Sequence, residues 1–293
     1  MNQSKSYPKV LSIAGSDSSG GAGIQADLKT FSALGVYGAT AITAITAQNT
    51  QGVNSQFALE PQMVYDQIAA VMDDIEPSVV KIGMLSNTAI VEAVAKALHD
   101  YKPSFIILDP VIVSSTGHRL LSIEAQETIK EKLIPIADLL TPNIPEMKAL
   151  TDSSLSSLEE KKEAAQQLFN LGAKAILLKG GHEEGEIKKD YLFFNGLKAK
   201  DKSLKSASVS MSASESVSEY SSETVVTNNT HGTGCTLSSA IAAFIARGLS
   251  LEDAISEAKN YVTEAIRAGA DVKIGKGIGP VNHSFNPQKM IVL

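Results

Sequence analysis

The 293-residue chain has no tryptophan and a single cysteine, Cys235. A lone thiol closes no bridge within the chain, which excludes a disulfide-stapled scaffold. Basic residues are also short: Lys and Arg number 26 against 32 Asp and Glu, a formal net charge of −6, and no basic block stands along the chain. The footprint that coats nucleic-acid phosphates is missing, so nucleic acid is not an expected partner. No stretch approaches the roughly 20 apolar residues that span a bilayer; the apolar run at 241–246 is short and lies beside serines. Met1-Asn2-Gln3-Ser4-Lys5-Ser6 supplies no apolar leader segment, and a soluble, cytoplasmic protein without membrane contact is expected. What is present is 43% hydrophobic and 20% charged, enough for a substantial core and too mixed for a disordered or fibrous chain. The usual length prior suggests about two domains, but large α/β folds use this much chain in one unit, and a single domain over 1–293 is the reading kept.

Short apolar runs at 10–14, 41–47, 79–82, 105–108 and 175–178 read as buried strands, and the stretches 24–34, 61–71 and 88–98 between them carry helical spacing. Further helices are predicted over 235–247 and 251–268. Alternation of this kind gives an α/β fold with a mostly parallel sheet covered on both faces, whose ligands sit beyond the carboxyl ends of the strands. One segment departs from the pattern. Serine dominates 201–222, and every second residue of 206–218 is serine. It reads as a flexible surface insertion, unable to bury enough apolar area to offset its ordering. The other reading takes the alternation as a lengthened edge hairpin between 191–194 and 223–226; no chemistry is expected there in either case.

The first strand runs into Gly15-Ser16-Asp17-Ser18-Ser19-Gly20-Gly21-Ala22-Gly23. Gly21-Ala22-Gly23-Ile24-Gln25-Ala26 formally fits a dinucleotide fingerprint, but the second strand delivers Gln48 and Asn49 where that fold needs an acid for the ribose. No Gly-x-x-x-x-Gly-Lys-Ser/Thr occurs, which excludes a P-loop. What remains is a wall of small residues beside Asp27, suited to a flat polar ring. Near the other end, Thr230-His231-Gly232-Thr233-Gly234-Cys235-Thr236 opens a run of small and apolar residues. The free amides of a helix N-terminus there, from Gly232, Thr233 and Gly234, form a cradle for the charge on a transferring phosphoryl group. Cys235 falls in the first turn, where the same field favours thiolate and suits it to act as a base; the other reading is a small residue packed at a helix start. Asp109 and Glu146 follow strand ends, and this sparse pair suits a magnesium ion that keeps water and phosphate ligands; helix capping is the alternative. Lys179 also ends a strand and can meet phosphate charge as a compact cation, or else lie solvated.

Together these pieces resemble the ribokinase-like superfamily and, within it, the hydroxymethylpyrimidine/phosphomethylpyrimidine kinases of thiamine biosynthesis. The resemblance is carried by Ile13 through Asp27, Ala47-Gln48-Asn49-Thr50, Lys81-Ile82-Gly83-Met84, Thr141-Pro142-Asn143, Lys179-Gly180-Gly181-His182, His231 through Thr236, and Gly275-Lys276-Gly277-Ile278-Gly279-Pro280-Val281. It covers nearly the whole chain apart from the N-terminal tail and the serine-rich segment. It implies a three-layer αβα sandwich, ATP with Mg2+, a homodimer, and successive phosphorylation of the pyrimidine's hydroxymethyl group and of the resulting monophosphate. Carried onto this sequence, it implies that Gln48 binds the aminopyrimidine edge and that Gly15, Ala22, Asp27, Met84 and Val111 form the pocket. Lys179, Asn143, Thr230 and Gly232 would face the nucleotide, Asp109 and Glu146 would support magnesium, and Cys235 stands where most ribokinase-like enzymes carry an aspartate base. A pyridoxal kinase of the same superfamily is the alternative, against which Gln48-Asn49 argues; a pyrimidine-binding sensor without catalysis is a third.

Overall fold

The computed structural model describes residues 5–113, 120–181, 185–195 and 217–293. In chain order its elements are β1 (Lys9–Asp17), α1 (Gly23–Ala33), β2 (Tyr37–Asn49), β3 (Gly52–Ala58), α2 (Pro61–Asp74), β4 (Val79–Ile82), α3 (Thr88–Tyr101), β5 (Phe105–Leu108), α4 (Ile123–Lys132), a 3-10 turn (Ile134–Ile136), β6 (Leu139–Leu140), α5 (Ile144–Thr151), α6 (Leu158–Asn170), β7 (Ala175–Leu178), β8 (Ile187–Phe194), β9 (Val217–Glu223), α7 (Thr233–Ala246) and α8 (Leu251–Gly269). The strands form one sheet in the order β3-β2-β1-β4-β5-β6-β7-β8-β9. Neighbours from β2 to β7 run parallel, while β3, β8 and β9 pair antiparallel with the strand beside them.

The central strands are short and buried on both faces, as expected where helices cover a parallel sheet on each side. Alternate residues of β1 and β4 feed two separate cores: Leu11, Ile13, Val80 and Ile82 pack toward α2, α3, α4 and α6, and Val10 and Val79 toward α1, α7 and α8. The result is the three-layer αβα sandwich. Helix starts are written locally: Asn87, Ser122, Ser157 and Ser250 each cap with the side chain, and Pro61 occupies the first turn of α2. The strands predicted at 79–82, 105–108 and 175–178 appear with those bounds; those at 10–14 and 41–47 extend to 9–17 and 37–49.

The serine-rich segment needs a correction. Its last six residues, 217–222, belong to β9, which pairs with β8 from Ile187↔Glu223 to Phe193↔Val217. The hairpin reading holds for this part, because alternation places every second side chain on the same face of an edge strand. The portion at 201–216 lies outside the described residues.

Candidate active site

A cavity of about 830 Å³ opens at the carboxyl ends of the parallel strands, lined by the segments that follow β1, β4, β5 and β7 and by the first turn of α7. Two glycine-bearing loops meet at its rim. Gly232 has φ +80°, and a Cβ there would fall 1.8 Å from the Gly21 carbonyl oxygen; a Cβ on Gly21 would fall 2.3 Å from His231 Cδ2. The loops interlock backbone to backbone, which only glycine permits at Gly232.

Asp17, at the end of β1, organises this junction. Its carboxylate accepts the amide N–H groups of Ser19, Gly21 and Ala22 and the Ser19 hydroxyl, and His231 Nε2 lies 2.8 Å from Oδ2. Burial pushes the Asp17 pKa upward, but these hydrogen bonds outweigh it and hold the carboxyl well below the usual range. Gln48 reaches the same point from the end of β2: its Nε2 is 3.3 Å from His231 Nε2, and its Oε1 accepts from Thr46 Oγ1 at 3.1 Å. Gly15, Ala22, Gln48, Met84 and Val111, all expected in the pocket, line the cavity. Asp17 and His231 stand within the motifs of the resemblance, yet sequence reasoning gave them no role, because the contact that joins them spans 214 positions.

Asp27 does not line the cavity. It is fully buried on the inner face of α1, where its carboxylate accepts Lys81 Nζ at 2.9 and 3.0 Å, Ser12 Oγ at 2.5 Å and Ser239 Oγ at 2.6 Å. It lies one helical turn beyond Gly23 on the same face of α1, about 6 Å further along the axis, and so sits behind the cavity wall rather than in it.

At the centre of the cavity Asp109 follows β5 and Lys179 follows β7. Lys179 Nζ donates to Asp109 Oδ1 at 2.6 Å and lies 3.9 Å from Glu146 Oε2, so the lysine is paired rather than solvated. Asp109 also accepts Thr141 Oγ1 and Ser238 Oγ. Glu146 forms a capping box with Asn143 at the start of α5, the alternative read for it, and also lines the cavity beside Lys179. Burial raises its carboxyl, with the Lys179 charge opposing. Asn143 and Thr230 line the same space.

Cys235 lies in the first turn of α7, whose N-cap is Gly232 with no side-chain cap, and it is half-buried at the cavity wall beside Thr233 and Gly234. The first-turn amides have no carbonyl four residues back to bond. The expected lowering of its pKa is corrected: burial pushes the Cys235 thiol up to about 11, against the opposing charge of Lys81 and the Gly23 N–H. The far end of the cavity was also missed. Ser222, Glu223, Thr224 and Val225 line it, together with Lys188 and the buried pair Asp190–Lys259 at 2.6 Å, so the strand in which no chemistry was expected forms a wall of the site.

Among the described residues no helix is long and apolar enough to cross a membrane. The family model for phosphomethylpyrimidine kinase matches residues 17–282. The hydroxymethylpyrimidine/phosphomethylpyrimidine kinase of Escherichia coli is 42% identical over 94% of this chain and 96% of its own. The thiamine biosynthesis bifunctional protein ThiED of Geobacter sulfurreducens is 43% identical over 96% of this chain, which spans 54% of that relative. Among solved structures, the phosphomethylpyrimidine kinase (thiD) of Clostridium difficile is 41% identical with a TM-score of 0.73, covering 88% of this chain and 99% of that one. The pyridoxal kinase of Staphylococcus aureus in complex with ADP is 30% identical with a TM-score of 0.81, covering 95% and 94%.

Proposed function

The chain belongs to the phosphomethylpyrimidine kinase family, and we propose that it uses ATP to phosphorylate hydroxymethylpyrimidine and then the resulting monophosphate, for thiamine biosynthesis. The observation that carries this reading is the sharing of one cavity by the Gln48 amide, the Gly232–Gly234 turn and the Asp109–Lys179 pair. An amide carries donor and acceptor together, which matches an amino group beside a ring nitrogen. Gly15, Ala22, Met84 and Val111 line the same space, with Met84 packed so closely on Gly15 that a Cβ there would fall 2.6 Å from its Cε.

The roles follow from position. Lys179, with Asn143, Thr230 and Gly232, faces the nucleotide phosphates, and the first-turn amides of α7 hold the charge on the transferring group, where positioning and charge stabilisation supply most of the catalysis. Cys235 Sγ, once it has lost its own proton to solvent, takes the proton of the substrate hydroxyl as that oxygen bonds to the γ-phosphorus and the bond to ADP breaks. In the second phosphorylation the nucleophile is a phosphate oxygen that is already anionic. The donor set also bears on magnesium. Asp109 is engaged by Lys179, Thr141 and Ser238, and no group of three metal-ligating side chains stands among the described residues. That set fits an ion that arrives on the nucleotide; Asp109 and Glu146 would hold it, and it would supply neutralisation of phosphate charge.

Pyridoxal is the competing substrate, and the identity to hydroxymethylpyrimidine kinases over nearly the whole chain favours the pyrimidine. We carry the single kinase domain and the cytoplasmic location as parts of the same proposal. A homodimer completes it: Ile45 and Phe57 pair in register across β2 and β3 and are 50% and 69% exposed, an apolar spot of the kind a second copy covers. The deciding measurement is ADP release with Mg-ATP and, separately, hydroxymethylpyrimidine, its monophosphate and pyridoxal. Efficient turnover of both pyrimidines is expected. Preference for pyridoxal would move the enzyme to the other kinase, and saturation without ADP release would make it a sensor.

A further inference from the structure

The proposed chemistry gives no role to the glycine-rich segment 275–281 that follows α8. This segment meets the turn between β2 and β3, directly beyond Gln48. Thr50, in that turn, accepts the backbone N–H groups of Lys276 and Gly277 with Oγ1, each at 3.1 Å, and that of Ile278 with its carbonyl oxygen at 2.8 Å. The approach is close: a Cβ on Gly277 would fall 2.0 Å from the Thr50 carbonyl oxygen, and one on Gly275 would fall 2.3 Å from Thr50 Oγ1. Further along, the Gly279 carbonyl accepts the His231 N–H at 3.0 Å, and Pro280 pairs with His231 as in a parallel ladder. His231 in turn stands beside Gln48, Nε2 to Nε2 at 3.3 Å. The contacts close a ring that runs from Gln48 through Thr50, the segment 276–280 and His231 back to Gln48.

The tip of the hairpin needs such a hold. The β2–β3 ladder shifts register between Ala47 and Gln48, with Asn54 as the extra residue, and beyond this bulge only Gln48↔Val53 and Asn49↔Gly52 still pair. A bulge re-aims the side chains beside it and disrupts the ladder locally. Asn49, Gln51 and Asn54 are exposed, so no apolar core fixes the tip. Ser18 Oγ bonds the Gln48 backbone from the end of β1, and Thr50 is the anchor toward the C-terminal segment. We infer that Thr50 is a positioning residue and that 275–280 is a strap fastened to it, which together hold the Gln48 amide at the substrate end of the cavity. The inference rests on the pyrimidine-recognition role given to Gln48 above. None of the residues in the ring takes part in the phosphoryl transfer described above, so the strap acts on binding of the pyrimidine and not on binding of the nucleotide. An interaction of that kind, equal in the ground and transition states, shows in KM with kcat unchanged.

Thr50→Val keeps the shape and removes the accepting oxygen, while Thr50→Ser keeps the oxygen. The N–H groups of Lys276 and Gly277 lie at an exposed contact where water can replace Thr50, so the strap loosens and the fold stays. In Thr50→Val the KM for hydroxymethylpyrimidine is expected to rise about tenfold, the measure of two ordinary hydrogen bonds, with kcat and the KM for ATP held. Thr50→Ser is expected to stay near the parent. Gly277→Ala loosens the same contact from the other side and should give the same split. In a Gln48→Ala background Thr50→Val should add nothing, since the two act through one group. Where Gln48→Ala itself raises the pyrimidine KM, an unchanged KM in Thr50→Val, an equal rise for ATP, or additive losses in the double variant would overturn the inference. Hydrogen exchange, read by mass spectrometry on the enzyme without substrate, gives an arm independent of the pyrimidine. Thr50→Val should speed exchange together in peptides covering 46–52 and 275–281, and exchange at the parent rate in both rejects the strap. If exchange speeds but Gln48→Ala leaves the pyrimidine KM unchanged, the strap stands and the recognition role of Gln48 falls.

Discussion

At the scale of residues, Cys235 stands between two opposed influences. The amide dipoles of the first turn of α7 favour a thiolate, while burial favours the neutral thiol, and burial prevails. Cys235 must lose its own proton before it can accept one, and an accepting group matters most where the nucleophile begins as a hydroxyl. Cys235→Ala is therefore expected to lower the rate of the first phosphorylation about 100-fold, within the range of general-base contributions, and that of the second by much less. Single-turnover rates on the two substrates test this, and equal losses would remove the base assignment. Asp27 teaches the complementary lesson. The resemblance put it in the pocket, but four residues after Gly23 it keeps that residue's side of α1 and lies a turn further along, where the ion pair with Lys81 holds it. Its partner Lys81 lies 54 positions away, and nothing local in either segment announces their contact.

At the scale of elements, the start of α7 is built by collision avoided. A methyl group on Gly232 would meet the Gly21 carbonyl oxygen at 1.8 Å and the Gly21 carbonyl carbon at 2.8 Å, both backbone atoms, in a residue at φ +80°. Gly232→Ala is expected to destabilise the fold by at least about 2 kcal/mol from left-handed strain and displaced backbone together, and to abolish most turnover because the loops that frame the site part. Gly248, just past the end of α7, serves as the control: its φ is +91°, but nothing lies within 4 Å of its added Cβ, so alanine there is expected to cost about 1 kcal/mol and leave activity intact. Urea unfolding and ADP release on both variants check the contrast. Glycines at the start of α7 were legible in the sequence, and so were β4, β5 and β7, whose bounds follow from brief apolar runs buried on both faces. The wall formed by β9 was not. A strand at the edge of a sheet keeps half its residues polar, so serine alternation that reads as a solvent-facing insertion is equally the pattern of a half-exposed strand.

At the scale of the whole molecule, the segment after α8 returns to close the site from behind. His283 is buried, its Nε2 is 3.0 Å from Thr236 Oγ1, and Tyr261 of α8 donates to its backbone carbonyl at 2.6 Å. Thr236 has one hydroxyl proton, which it gives to the Gly232 carbonyl at 2.8 Å, so His283 is the donor of the other bond and one chain of hydrogen bonds runs from the C-terminal segment to the N-cap of α7. Burial, with the charges of Lys29 and His231, depresses the His283 pKa to about 4. The unfolded chain, where the imidazole keeps its ordinary value near 6.5, takes up this proton first as pH falls. The contribution to stability is complete above about 6.5, declines as the solution is acidified, and is exhausted below about 4, a total of roughly 3 kcal/mol. Unfolding free energies from urea titrations at pH 7.5 and pH 4.5 should therefore differ less in His283→Gln than in the parent, since the carboxylates that also titrate in this interval are common to both. An equal pH dependence in the two proteins would show that the imidazole is solvated, and that the tie from the C-terminal segment to the cradle is not held by a neutral histidine.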